Sequence, residues 1–249
     1  MYRLLQVLSC LLAVKYISAA PAPVPETSLS GISTINNNVP LRILPLGNSI
    51  TWGYLSTDGN GYRLDLLNQL TANGTTVQYI GLQRSGNMTD NYNEGHPGAL
   101  IAQIAQYAEV SLPSQPNVIL LMAGTNDMVQ NNMTATAPQR LGSLIDECHS
   151  TAPGAVIIVA QLTPAADTSV EARIQAFNPT IPGLVAQRVS AGVKALTVDM
   201  SNYVTVADLK DGLHPTDYGY AQMAKAWYAG IGEAIGKGWI SPPAPTAGS

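Results

Sequence analysis

Three short polar stretches lie far apart in the sequence: Gly47-Asn48-Ser49-Ile50-Thr51, Gly124-Thr125-Asn126-Asp127 and Asp211-Gly212-Leu213-His214-Pro215. Together they offer a hydroxyl, a side-chain amide and a carboxylate–imidazole pair, which are the parts that acyl transfer needs. A serine hydroxyl is a poor nucleophile at neutral pH. It needs a base, and an imidazole suits because its pKa lies near about 6.5. Ser49 is therefore the candidate nucleophile and His214 the candidate base. Asp211 stands three residues before His214 in a Gly-containing turn, which can fold its carboxylate back onto the imidazole Nδ1–H. Asp199 competes for that role, but lacks the tight spacing to His214. An attacked carbonyl becomes an oxyanion, which the Ser49 backbone N–H and the Asn126 amide could meet. A third donor is expected from Gly95-His96-Pro97-Gly98. Gly98 has no Cβ, so its N–H can approach a ligand closely, and Gly95 is the alternative in the same loop.

These residues do chemistry only if the fold gathers them. Five nearly continuous apolar runs of strand length occur at 41–46, 77–82, 118–122, 156–160 and 195–200, as expected of strands covered on both faces. Helical patterns fill 62–70, 100–110, 138–150, 170–190 and 216–235. The alternation implies right-handed crossovers and an α/β fold, a three-layer α/β/α sandwich on a five-stranded parallel sheet. In such sheets ligands bind beyond the carboxyl ends of the strands. Ser49 follows the first run, Asn126 the third and His214 the fifth, so all three converge on one rim.

The 249 residues fit one domain with tails; 46% are hydrophobic and 11% charged, ample material for a core. A net charge of -4 with no Lys/Arg cluster argues against nucleic acid as a partner. Residues 1–20 read as a secretory signal: Arg3 at the start, an apolar stretch over 4–14, and small Ser18-Ala19-Ala20 for cleavage. The stretch is short for a spanning helix, which needs about 20 apolar residues. An extracellular protein with no membrane contact after cleavage is expected. Sequons at Asn73, Asn87 and Asn132 agree with secretion. Cys10 lies in the signal, leaving Cys148 alone, so no internal disulfide is expected and Cys148 reads as core.

At Ser49, Gly98, Asn126 and His214 the sequence resembles the SGNH (GDSL-like) hydrolase superfamily, over residues 42 to about 236. The runs Gly47-Asn48-Ser49-Ile50-Thr51, Asp58-Gly59-Asn60-Gly61-Tyr62-Arg63 and Glu94-Gly95-His96-Pro97-Gly98 look most like carbohydrate esterase family 3, the acetylxylan esterases. The resemblance implies a flavodoxin-like SGNH esterase domain over 40–240. An extended segment would precede it at 21–39 and a tail would follow at 241–249. It implies a secreted monomer that removes acetyl groups from xylan through an acetyl-serine intermediate. Asn48 departs from the common Gly-Asp-Ser form, which bears on local loop bonding more than on catalysis. The family also suggests a structural calcium site, although serine chemistry requires no cofactor. Asp58 and Asn60 offer hard oxygens and Thr57 a carbonyl, a fragment of a shell of 6–8 oxygens. A plain Asp/Asn turn accounts for them equally well.

Trp52, Tyr54 and Tyr92 could stack on sugar rings, or simply pack. Two other functional readings stay open. One is an esterase or lipase of the same superfamily with another acyl or sugar preference. The other is a carbohydrate-binding protein without catalysis, which would not need all of Ser49, Asn126, Asp211 and His214. No Gly-x-Ser-x-Gly elbow, phosphate loop, His-x-x-x-His or Cys-x-x-Cys occurs.

Overall fold

Runs of β-branched and aliphatic residues become strands where both faces are covered. In the computed structural model, which describes residues 39–72 and 74–246, Val118–Met122 is buried along its whole length. The chain runs β1 (Leu41–Asn48), α1 (Ser49–Trp52), α2 (Tyr62–Thr71), β2 (Val77–Tyr79), β3 (Gln83–Arg84), β4 (Tyr92–His96) and α3 (Ile101–Ser111). It continues through β5 (Val118–Met122), α4 (Thr125–Val129), α5 (Ala137–Thr151), β6 (Val156–Gln161), α6 (Thr168–Phe177), α7 (Thr180–Ser190), β7 (Ala195–Asp199) and α8 (Asp217–Gly236). Residues 1–20, nearly all of 21–39, the sequon residue Asn73 and the last three residues lie outside the described residues.

Among the described residues the sheet has seven strands rather than five, in the order β3-β4-β1-β5-β6-β7, with β2 also paired to β1. All pairs are parallel except β3 with β4. The extra strands, β3 and β4, lie beyond the expected run at 77–82, which supplies only β2. The run stops as a strand at Tyr79, and Gly81 turns the chain at φ 138°. β2 pairs with the first half of β1 at Leu41–Ile43, and β4 pairs with its last half at Leu46–Asn48. Two short strands thus share one edge of β1. β4, with the polar sequence YNEGH, gave no apolar run to read.

Helices flank the sheet in two groups. α2 packs on α8, which covers β6 and β7, while α3, α5 and α7 pack in a row. The expected helix at 170–190 is two helices, α6 and α7, because Pro179 has no N–H to continue the ladder. Asn178 uses the break: its side chain accepts from Leu162 N–H and donates to Leu162 O. In α2 the buried positions are Tyr62, Arg63, Leu66 and Leu70, whereas Leu64 and Leu67 are only half-buried. The segment after α8 is tied down. Asn117 Nδ2 donates to Ser241 O at 2.8 Å and Arg42 to Ala244 O at 2.9 Å.

Trp227, fully buried on α8 and packed on Tyr62 with ring centroids 5.7 Å apart, joins α8 to α2. A Trp227→Ala variant is expected to lose about 3–5 kcal/mol of unfolding free energy, as large aromatic truncations do. Urea denaturation followed by circular dichroism measures it.

Candidate active site

Ser49 opens the single turn of α1 at the carboxyl end of β1. Asn48 caps that turn, its Oδ1 accepting from Ile50 N–H at 3.1 Å. The amide therefore keeps the acceptor an aspartate would offer, and its Nδ2 is buried without a partner. The turn is held in place by close backbone approach. A Cβ on Gly95 of β4 would lie 2.3 Å from Trp52 N, so only glycine lets the strand press on α1.

His214 reaches Ser49 from 165 residues away, with Nε2 2.8 Å from the serine Oγ. Its Nδ1 lies 2.8 Å from Asp211 Oδ2. That carboxylate fixes the ring with a proton on Nδ1 and a lone pair on Nε2 facing the hydroxyl. Asp211 Oδ1 also accepts from the backbone N–H of His214 at 2.7 Å and of Leu213 at 3.0 Å. The turn is anchored on both flanks: Lys210 N–H donates to His214 O, and Ala166 N–H to Gly212 O, each at 2.8 Å. Asp199 does not join this pair; it caps its own turn by accepting from the Ser201 N–H and hydroxyl. Burial works to raise the Asp211 pKa, but hydrogen bonds from His214 and Leu213 outweigh it and hold the carboxyl below the usual carboxylate range.

The predicted oxyanion donors sit on the neighbouring strand ends. Ala99 N–H donates to His96 O at 3.0 Å, closing a turn with Pro97 second and Gly98 third. Gly98 has φ 83°, the type II position that favours glycine. The Gly98 N–H takes no part in that closing bond. The Gly95 N–H, by contrast, is already engaged by Asn93 Oδ1 at 2.9 Å. Of the two glycines, Gly95 thus has its N–H already committed within β4. Asn126, on α4 after β5, donates one Nδ2 hydrogen to Ala99 O at 2.9 Å, and an amide has a second to give. Its neighbour Asp127 does not cap α4, whose cap position is Gly124. It is buried, accepting from Ile101 N–H at 3.0 Å and from Arg140 at 2.6 Å, and burial pushes its carboxyl up despite those partners. His96 orients the loop: its Nε2 lies 2.5 Å from the buried Glu94, and its ring stacks on Tyr107.

One support went unread in the sequence, and a second was read only as a ring that stacks or packs. Arg63 is fully buried, with no carboxylate partner among the described residues, and donates to the carbonyls of Trp52, Gly59, Ser85 and Asn91. It thereby clamps the end of the nucleophile turn, and burial lowers its pKa. The signal was its place with Leu66 and Leu70 at i, i+3 and i+7. Tyr54 is the second. Its N–H donates to Ser49 O at 3.0 Å, and its ring meets the His214 ring edge-on with centroids 4.8 Å apart.

The residues read as possible calcium ligands form a hydrogen-bonded turn. Both Asp58 carboxylate oxygens accept from Asn60, Asn60 Oδ1 accepts from Met88 N–H, and Thr57 donates twice to Asp217. As they stand these oxygens do not make a shell of 6–8. Among the described residues no group of three or more His, Cys, Asp or Glu is arranged to hold a metal ion. Of the sequons, Asn87 is exposed, with its Oδ1 accepting from Asn60, and Asn132 is half-buried. No helix among the described residues is long and apolar enough to cross a membrane.

Because the folded-state pKa of Asp211 lies below its unfolded value, the ionised carboxylate stabilises the fold above about pH 3.9. That contribution is lost as the pH falls below this. Tm measured against pH should therefore separate the protein from Asp211→Asn at pH 6, and the gap should close toward pH 3.

Residues 46–222 match the GDSL-like Lipase/Acylhydrolase family. The Clostridium thermocellum family 3 carbohydrate esterase superposes with a TM-score of 0.68 at 30% identity, covering 78% of this chain and 98% of that one. A putative endoglucanase X of Acetivibrio thermocellus is 32% identical over 117 residues, 45% of this chain and 49% of that protein. A multidomain esterase of Ruminococcus flavefaciens is 28% identical over 218 residues, 75% of this chain and 28% of that protein. The chain thus spans about half or less of these two relatives. With the family's pattern running through both Ser49 and His214, this protein belongs to the GDSL-like lipase/acylhydrolase family.

Proposed function

We propose that this protein is a secreted serine esterase that removes acetyl groups from xylan or a related cell-wall polysaccharide. The observation that carries the reading is the continuous chain from Ser49 Oγ through the His214 ring to Asp211, with 2.8 Å at each step. Ser49 Oγ attacks the acetyl carbonyl while His214 Nε2 takes its proton, and Asp211 stabilises the imidazolium. The oxyanion is met by the Ser49 and Gly98 N–H groups and the free hydrogen of Asn126 Nδ2. When the intermediate collapses, the C–O bond to the sugar breaks and His214 gives its proton to the departing sugar oxygen. This leaves acetyl-Ser49. Water, deprotonated by His214, then attacks the acetyl carbon, and acetate leaves as Ser49 regains its proton. No step uses a metal or cofactor.

The likeness to a family 3 carbohydrate esterase along nearly its whole length supports the sugar-ester class. The signal-like residues 1–20 and the exposed sequon at Asn87 support secretion.

Ser49→Ala is expected to abolish acetate release from acetylated xylan, and Asn126→Ala to lower kcat by about 10²–10³. Acetate can be followed by an enzyme-coupled assay. A Ser49→Ala protein working at the parental rate would refute the mechanism.

A further inference from the structure

Tyr54 is held from three sides yet stays open to solvent. Its N–H donates to Ser49 O, and its carbonyl accepts from the hydroxyl of the buried Tyr220 at 2.7 Å. Its ring lies against the His214 ring. The next residue, Leu55, has φ 67°, a left-handed conformation that branched residues adopt only when their surroundings impose it. The backbone of Tyr54 is thus fixed by Ser49 and Tyr220, and its ring by His214. Nevertheless 46% of the residue is exposed. An aromatic side chain fixed in place and partly open to solvent is preorganised to receive another ring.

The chemistry says which part of the ester lies there. His214 must pass its proton to the departing alcohol oxygen, so the alcohol occupies the side of the site that His214 borders. The acetyl oxygen turns instead toward Asn126 and the Gly98 loop. A ring packed on the imidazole therefore walls the alcohol side. The two other aromatic candidates are less suited. Tyr92 starts β4, at the far end from His96, and already carries the Arg84 guanidinium 4.7 Å from its ring centroid. Trp52 is half-buried behind the nucleophile turn, with its carbonyl bound by Arg63 and Ser85.

We propose that Tyr54 is a specificity-determining residue: its ring stacks on the sugar ring whose ester is cleaved, because it is fixed against His214 on the leaving-group side. This rests on the sugar-ester reading above and deepens it. The contact acts on the sugar and not on the acetyl group, so a small ester that lacks a sugar is insensitive to it.

The test compares kcat/KM for an acetylated xylo-oligosaccharide and for ethyl acetate in the parent, Tyr54→Ala and Tyr54→Phe. Tyr54→Ala is expected to lose about ten-fold more kcat/KM on the oligosaccharide than on ethyl acetate, with the excess loss mainly in KM. Tyr54→Phe keeps the ring and should stay near the parent on both. Unacetylated xylo-oligosaccharide should also inhibit ethyl acetate hydrolysis less well in Tyr54→Ala. Equal losses on both substrates would assign Tyr54 to positioning His214 alone and overturn the sugar contact, and so would no loss on either. A parent that cleaves ethyl acetate but neither cleaves nor binds the oligosaccharide would instead refute the sugar-ester reading, and the contact with it.

Discussion

The structure depends on bringing a hydroxyl and an imidazole, 165 residues apart in sequence, within a hydrogen bond of each other. A parallel sheet does this by placing all its strand ends on one edge, so that loops remote in sequence become neighbours. β1 delivers Ser49, β5 delivers Asn126, β4 delivers the Gly98 turn, and the loop between β7 and α8 delivers His214. An error of 1 Å in any of these would break the chain of hydrogen bonds. Each loop is accordingly tied to its neighbours. Asn126 is bonded to Ala99, Gly212 to Ala166, and Tyr54 to both Ser49 and Tyr220.

Most of these ties end on backbone atoms rather than on opposite charges. Arg63 is the clearest case, a buried cation that meets four carbonyls and a hydroxyl and, among the described residues, no carboxylate. Carbonyl partners fix the paths of four chain segments at once, which an ion pair with one carboxylate would not. Asp127 does join a cation, Arg140, and in doing so connects α3, α4 and α5 beneath the Asn126 amide. With the only described cysteine, Cys148, buried and unpaired, no disulfide helps here. The apolar sheet and its two helix groups supply the rigidity.

The chemistry-bearing residues were legible because acyl transfer needs particular groups and strand ends are easy to find in an apolar α/β sequence. Ser49, His214 and Asp211 are joined by hydrogen bonds as their spacing implied, Asp211 rather than Asp199 meets the imidazole, and Asn126 sits at the end of the neighbouring β5. What was not legible has physical causes. β4 is polar because its residues serve the site: Glu94 holds His96, Asn93 holds Gly95, and Gly95 makes room for α1. Periodicity cannot find such a strand. The 170–190 helix ran on in the pattern because apolar spacing persists across Pro179. Arg63 stood on the buried face of α2, where charge argues against burial until its carbonyl partners are known. The commitment of the Gly95 N–H is a hydrogen bond that only the folded chain supplies.

The most direct measurement of the Ser49–His214 pair is covalent labelling by a serine-directed sulfonyl fluoride, followed by peptide mapping. The account predicts one labelled site, Ser49, complete loss of esterase activity in step with labelling, and much slower labelling in His214→Ala. Full activity in the presence of a labelled Ser49, or labelling at the parental rate without His214, would contradict it.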